Sequence, residues 1–158
     1  MDTHIGIKNE NRLAVAEILS KLLADEFILY TKTRNAHWNV EGPDFHSMHL
    51  FFEAQYNQLA ELMDGVAERI RTIGHYAPGT LKEFLELTHL SEYSERKNNS
   101  QGFIKDLLAD HQSIVEFIRG GINTIDDKYK DPGTSDYLTG FIEIHEKMAW
   151  MLRAHLNG

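Results

Sequence analysis

Residues 37–70 read HWNVEGPDFHSMHLFFEAQYNQLAELMDGVAERI, and the way this stretch divides decides the fold. Gly42-Pro43 interrupts it near the start, as a helix breaker does. Asp44 or Ser47 is then the candidate cap of a new helix. Beyond them Leu50, Phe51, Ala54, Leu59, Leu62, Val66 and Ile70 recur at the spacing of one helix face. The spacing predicts one long helix that stops near Gly74.

The same reading extends in both directions. Upstream, Val15, Ile18, Leu19, Leu22 and Leu29 predict a helix from about Asn9 to about Val40. Downstream, Pro78-Gly79-Thr80 is a breaker followed by a short helix with Leu81, Phe84, Leu85 and Leu87. Ser91 to Gln101 is polar and reads as a loop. Ile104, Leu107, Leu108, His111, Val115, Ile118, Ile122 and Ile125 mark a third long helix, which Gly120-Gly121 weakens without ending. Asp131-Pro132-Gly133 is the last turn. Thr134 or Ser135 is the expected cap of a fourth helix carrying Leu138, Phe141, Ile142, His145, Met148 and Leu152. No stretch keeps a strand period. The expected fold is all-α: a single-domain four-helix bundle over residues 1–158, with a short extra helix between the second and third long ones. Residues 1–8 are expected to be flexible.

Composition narrows the function. With 158 residues, 42% apolar and 25% charged, the chain suits one soluble domain. It has no apolar run long enough to span a bilayer, no secretory signal pattern and no cysteine, so a cytoplasmic location is expected. A net charge of -8 offers no general attraction to DNA or to anionic membranes. Nine histidines beside 24 acidic residues supply nitrogen and oxygen ligands without thiolate, the set that borderline and hard metals use.

Those ligand types concentrate in the opening stretch as His37, His49, Glu53, Asp64 and Glu68. His49 and Glu53 are four apart, as are Asp64 and Glu68. On a helix the four fall near 0°, 40°, 60° and 100°, roughly one stripe at about 100° per residue. Yet His49 and Asp64 are 15 residues apart, which places them about 22 Å apart along the axis. One ion held about 2 Å from its ligands cannot reach both. One chain thus offers two half-sites. An antiparallel copy about a two-fold axis would complete both, with His37 as a further nitrogen donor. The competing interpretation is ordinary: charges four apart usually decorate a solvated face. The neighbouring Trp38, Phe45, Phe52 and Tyr56 are more aromatics than such a face needs.

His37-Trp38-Asn39-Val40-x-Gly42-x-x-Phe45, then His49, Phe52 and Tyr56, then Asp64-x-x-Ala67-Glu68-Arg69-Ile70 closely resemble the Dps family, ferritin-like proteins named for DNA binding in starved cells. The helical layout carries the resemblance over nearly the whole chain. It implies a ferritin-like bundle, a dodecameric hollow cage and ferroxidase centres at two-fold interfaces. It further implies oxidation of Fe(II), preferentially by hydrogen peroxide rather than dioxygen, and storage of Fe(III) mineral, protecting against oxidative damage. By position, His37, His49 and Glu53 would come from one subunit and Asp64 and Glu68 from the other. The family usually has aspartate where this chain has Glu53; the extra methylene carries the oxygen about 1.5 Å further.

The resemblance also points to Asp127, Asp131 and Asp136 as the lining of negatively charged three-fold pores, although Pro132 stands where relatives often carry an acid. The ordinary alternative for Asp136 is a favourable place near the N-terminus of the fourth helix. Trp38 is a candidate to pass an electron to the site, against an ordinary role in core packing. Glu86-Leu87-Thr88-His89 is the single Glu-x-x-His match to within-bundle di-iron sites, which need two. His111 and His145 lie on apolar faces and are expected to be hydrogen-bonded core histidines; His75 and His155 show no partner pattern. The first 11 residues contain only Lys8, so DNA binding is expected to be weak or absent. Two rivals remain to the ferroxidase reading: a non-catalytic, DNA-shielding nucleoid protein, and an assembly that uses the two-fold site for structural zinc.

Overall fold

The structure, a computed structural model, describes residues 3–93 and 98–156. Five helices follow one another: α1 (Asn9–Asn39), α2 (Phe45–Thr72), α3 (Leu81–Leu87), α4 (Ser100–Asp127) and α5 (Pro132–Ala154). Among the described residues there is no strand, only an isolated bridge between Glu41 and Asn99. Part of the segment expected to be flexible (residues 1 and 2) and part of the expected loop (residues 94–97) lie outside the described residues.

α1 and α2 are antiparallel neighbours. At one end Arg12 donates to the Ile73 carbonyl (3.0 Å); at the other His37 and His49 meet. Gly74 ends this pair with a φ of +93°. A side chain there would come within 2.5 Å of both Arg12 Nη1 and Thr3 Oγ1, so the turn requires glycine twice over. The connection through α3 returns the chain to the other end, where the Glu41 N–H donates to the Asn98 carbonyl. α4 therefore runs parallel to α2, and α5 returns against it. α3 opens with a capping box between Thr80 and Glu83 and lays Phe84 on Phe27, with ring centroids 4.5 Å apart. Gly120-Gly121 lies inside α4 without breaking it.

The core runs the length of the bundle. Leu19, Leu22 and Leu29 of α1, Phe52, Leu59 and Ile70 of α2, Ile104, Leu107 and Ile114 of α4, and Leu138 of α5 are all essentially inaccessible. Of the expected caps, one keeps its position and one is corrected. Asp44 occupies the N-cap of α2 without a side-chain cap bond, while Ser47 donates to the Asp44 carbonyl. At α5 neither Thr134 nor Ser135 caps: Asp131 does, accepting from the Thr134 N–H at 2.9 Å. Pro132 at the first helical turn needs no donor, so the cap shifts to the residue before it.

Candidate metal centre

The turn at Gly42 folds the end of α1 against the start of α2. His37, nearly buried, and His49, half-buried, stack with centroids 3.7 Å apart and planes 21° apart. Each ring bonds the other residue's backbone. His37 Nδ1 is 2.8 Å from the His49 carbonyl, and His49 Nδ1 is 2.8 Å from the His37 carbonyl. A carbonyl only accepts, so both Nδ1 atoms carry the hydrogen. The lone pair of each neutral ring then lies on Nε2, the arrangement that orients imidazoles as metal ligands. The His37 carbonyl lies in the last turn of α1, where helix geometry leaves an acceptor without an intrahelical partner. Tyr56 sets its edge on His37 (5.2 Å), and Phe45 lies 5.3 Å from His49.

Glu53, half-buried, follows His49 by one turn. Asp64 and Glu68 are exposed farther along the same uninterrupted helix. The separation of about 22 Å expected from helix rise therefore applies within this chain. Among the described residues, no three His, Cys, Asp or Glu side chains of one chain stand together so as to hold a metal ion.

Asp131, the third of the acidic pore candidates, turns inward in the subunit. It is buried, caps α5, accepts from Thr134 Oγ1 (2.6 Å) and pairs with Arg69 (3.1 Å). These three contacts hold the carboxylate inside the subunit. Asp127 and Asp136 are exposed. Trp38 is also corrected as a core residue: it is 64% exposed and has the Arg34 guanidinium 5.2 Å over its ring.

The minor candidates resolve individually. Glu86 pairs with Lys82 on the surface. His89 lies 2.6 Å from the buried Asp25 and 2.9 Å from Ser113 Oγ, so this Glu-x-x-His match fastens the connection to α1 and α4. His111 and His145 are fully buried with Nδ1 atoms 2.9 Å apart, and His145 Nε2 is 3.1 Å from Glu26. Burial and then the Arg12 charge hold His75 below its usual range. His155 bonds back to the Met151 carbonyl. Sequence reasoning passed over Asp25 and Glu26, both fully buried. Their signal was phase: Glu26 stands four residues after Leu22 and three before Leu29, on the apolar stripe. Arg34 was also passed over; it lies over the rings of Tyr30, Trp38 and Tyr56.

Known proteins share this architecture. The ferritin-like domain family matches residues 16–158. A low temperature-induced protein of Nostoc sp. is 39% identical over 155 residues, covering 98% of this chain and 87% of the relative. DNA protection during starvation protein 2 of Bacillus anthracis is 39% identical over 145 residues, covering 90% and 97%. The crystal structure of a Dps protein from Vibrio cholerae O1, described as a member of a broad superfamily of ferritin-like diiron-carboxylate proteins, superposes with a TM-score of 0.91 at 27% identity, covering 99% and 98%. On the ferritin-like domain, the relatives' identity and the shared bundle, the chain belongs to the Dps family of ferritin-like proteins.

Proposed function

We propose that this chain is a ferroxidase subunit of an iron-storing cage, built as a homo-oligomer of dodecameric form, that binds Fe(II) between two copies and protects against oxidative damage. Membership of a ferritin-like, diiron-carboxylate superfamily supports iron handling in general. The single observation that carries the specific reading is the reciprocal pairing of His37 and His49 with each other's carbonyls. It commits both rings to Nε2 donation at the end of the bundle, with Glu53 one turn away. Asp64 and Glu68 of a second, antiparallel copy would complete the ligand set.

Fe(II) is the substrate. The imidazoles suit its borderline character, and the carboxylates favour the harder Fe(III) product. Hydrogen peroxide is the proposed oxidant: it takes one electron from each of two Fe(II) ions, its O–O bond breaks and two hydroxides result. Removing both reactants together suppresses hydroxyl-radical formation. Exposed Trp38, adjacent to His37 in the chain, is the proposed one-electron donor when the site holds a single Fe(II). Asp127 and Asp136 are the proposed acidic entry groups. The cytoplasm is the proposed location; among the described residues no helix is long and apolar enough to cross a membrane.

The test is the variant His49→Ala/Asp64→Ala. Fe(II) oxidation by peroxide, followed by ferric absorbance, should slow by about 100-fold or more, with the cage still assembled. Unchanged kinetics would sink the site. Co-assembly of the two single variants tests the shared site more sharply. A mixed pair contains one fully wild-type site, so random mixing should restore about a quarter of the activity; an intra-chain site would restore none. Zinc binding without ferric absorbance would favour the structural-zinc reading. DNA binding that weakens steeply with salt would favour the nucleoid reading, which the charge of -8 opposes.

A further inference from the structure

The middle of the bundle holds a polar chain that iron oxidation at the two-fold site does not use. Glu26 of α1, His145 of α5 and His111 of α4 are all 0% exposed. His145 Nε2 stands 3.1 Å from Glu26 Oε1, and the two Nδ1 atoms face each other at 2.9 Å. The Glu26–His145 approach is a charge contact rather than a hydrogen bond, and both Glu26 oxygens, His145 Nε2 and His111 Nε2 have no hydrogen-bond partner among the described residues. Phe141 stacks on His145 (4.8 Å), and Ile114 and Leu22 are buried in the same core.

The geometry limits how many protons the chain holds. Only one hydrogen fits between two Nδ1 atoms at hydrogen-bonding distance. With one imidazole charged, Glu26 can neutralise it. With both charged, two N–H groups point at each other and one positive charge is left uncompensated in an apolar core, where such a charge is costly.

We propose that the Glu26–His145–His111 chain is an acid-triggered latch: a second proton on the imidazole pair parts α4 from α5 and opens the bundle core. The other charged groups around it are already engaged. On α1, Asp25 lies against His89 and Lys32 against Asp110 of α4. On α2, Arg69 pairs with Asp131. On α5, burial, with the Glu26 charge second, pushes the Tyr137 phenol up to about 12, so it stays neutral here. None of these is free to neutralise the second imidazolium.

The direction of the effect follows from the same geometry. Burial first, and His145 second, hold His111 well below its ordinary value of 6.5. The unfolded chain therefore binds more protons than the folded one just below that value. Stability is complete above about pH 6.5 and erodes as pH falls towards the folded-state value. Each extra proton taken up on opening multiplies the opening constant by about tenfold per pH unit across that window.

The test uses the assembled protein. Amide hydrogen exchange at pH 8, 6 and 5, corrected for intrinsic rates, should show opening at low pH centred on residues near His111 and His145. The variant Glu26→Leu/His111→Leu/His145→Leu should flatten the dependence of the urea midpoint on pH between 8 and 5. If that variant fails to assemble, His111→Gln provides the comparison, since it fills the site without titrating. Exchange that rises uniformly over all helices, or a His111→Gln protein as acid-sensitive as the parent, overturns the proposal. Neither readout depends on iron oxidation.

Discussion

Two pairs of histidines, one at the end of the bundle and one in its buried core, do opposite things with the same chemistry. His37 and His49 stack at the end of the bundle and give their Nδ1 hydrogens to backbone carbonyls. His111 and His145 turn their Nδ1 atoms on each other and their remaining polarity on a buried glutamate. In the first pair the backbone satisfies the inner nitrogen, so the outer one is available. In the second the side chains must satisfy one another, because the surrounding helix carbonyls are occupied by their own ladders. What an imidazole can do is set by what binds its other nitrogen.

Breaking the comparison should affect different properties. His145→Ala leaves Glu26 buried without its partner. It should cost about 3–5 kcal/mol of subunit stability, by urea titration, while the oxidation rate per assembled cage is unchanged. His49→Ala should do the reverse, cutting oxidation and moving the urea midpoint little. A common loss of both in either variant would erase the distinction drawn between the pairs.

The aspartates divide the same way. Asp131→Ala removes a cap and the partner of Arg69 and should destabilise by about 2 kcal/mol. Asp127→Asn/Asp136→Asn should change the urea midpoint by about 0.5 kcal/mol at most and slow iron uptake if these exposed groups guide its entry. The smallest effect expected is that of Glu53→Asp. Shortening the side chain by a methylene should alter the initial oxidation rate about threefold or less, because the helix face and the charge are retained. A loss as large as that of His49→Ala would show that this chain's site is built around the longer carboxylate.

The sequence displayed the bundle clearly because its signals are local. The apolar period from Leu50 to Ile70 and the breakers at Gly42-Pro43 and Pro78-Gly79 each act within a turn or two of themselves. The observed α1, Asn9–Asn39, ends one residue short of the expected Val40. Caps were less legible: Thr134, Ser135 and Asp131 are all good capping types, and the choice fell to the residue before Pro132.

By itself the sequence determined the order and lengths of the helices, the stripe bearing His49, Glu53, Asp64 and Glu68, and the span that keeps its two halves apart. These depend only on rise and rotation per residue. Tertiary structure alone decided that His37 and His49 fix each other's tautomers, that Trp38 faces outward, that Asp131 turns inward to Arg69, and that Glu26 finds His145. The three pairings among these join residues 12, 62 and 119 positions apart, and such partners are set by which turn of one helix packs against which turn of another.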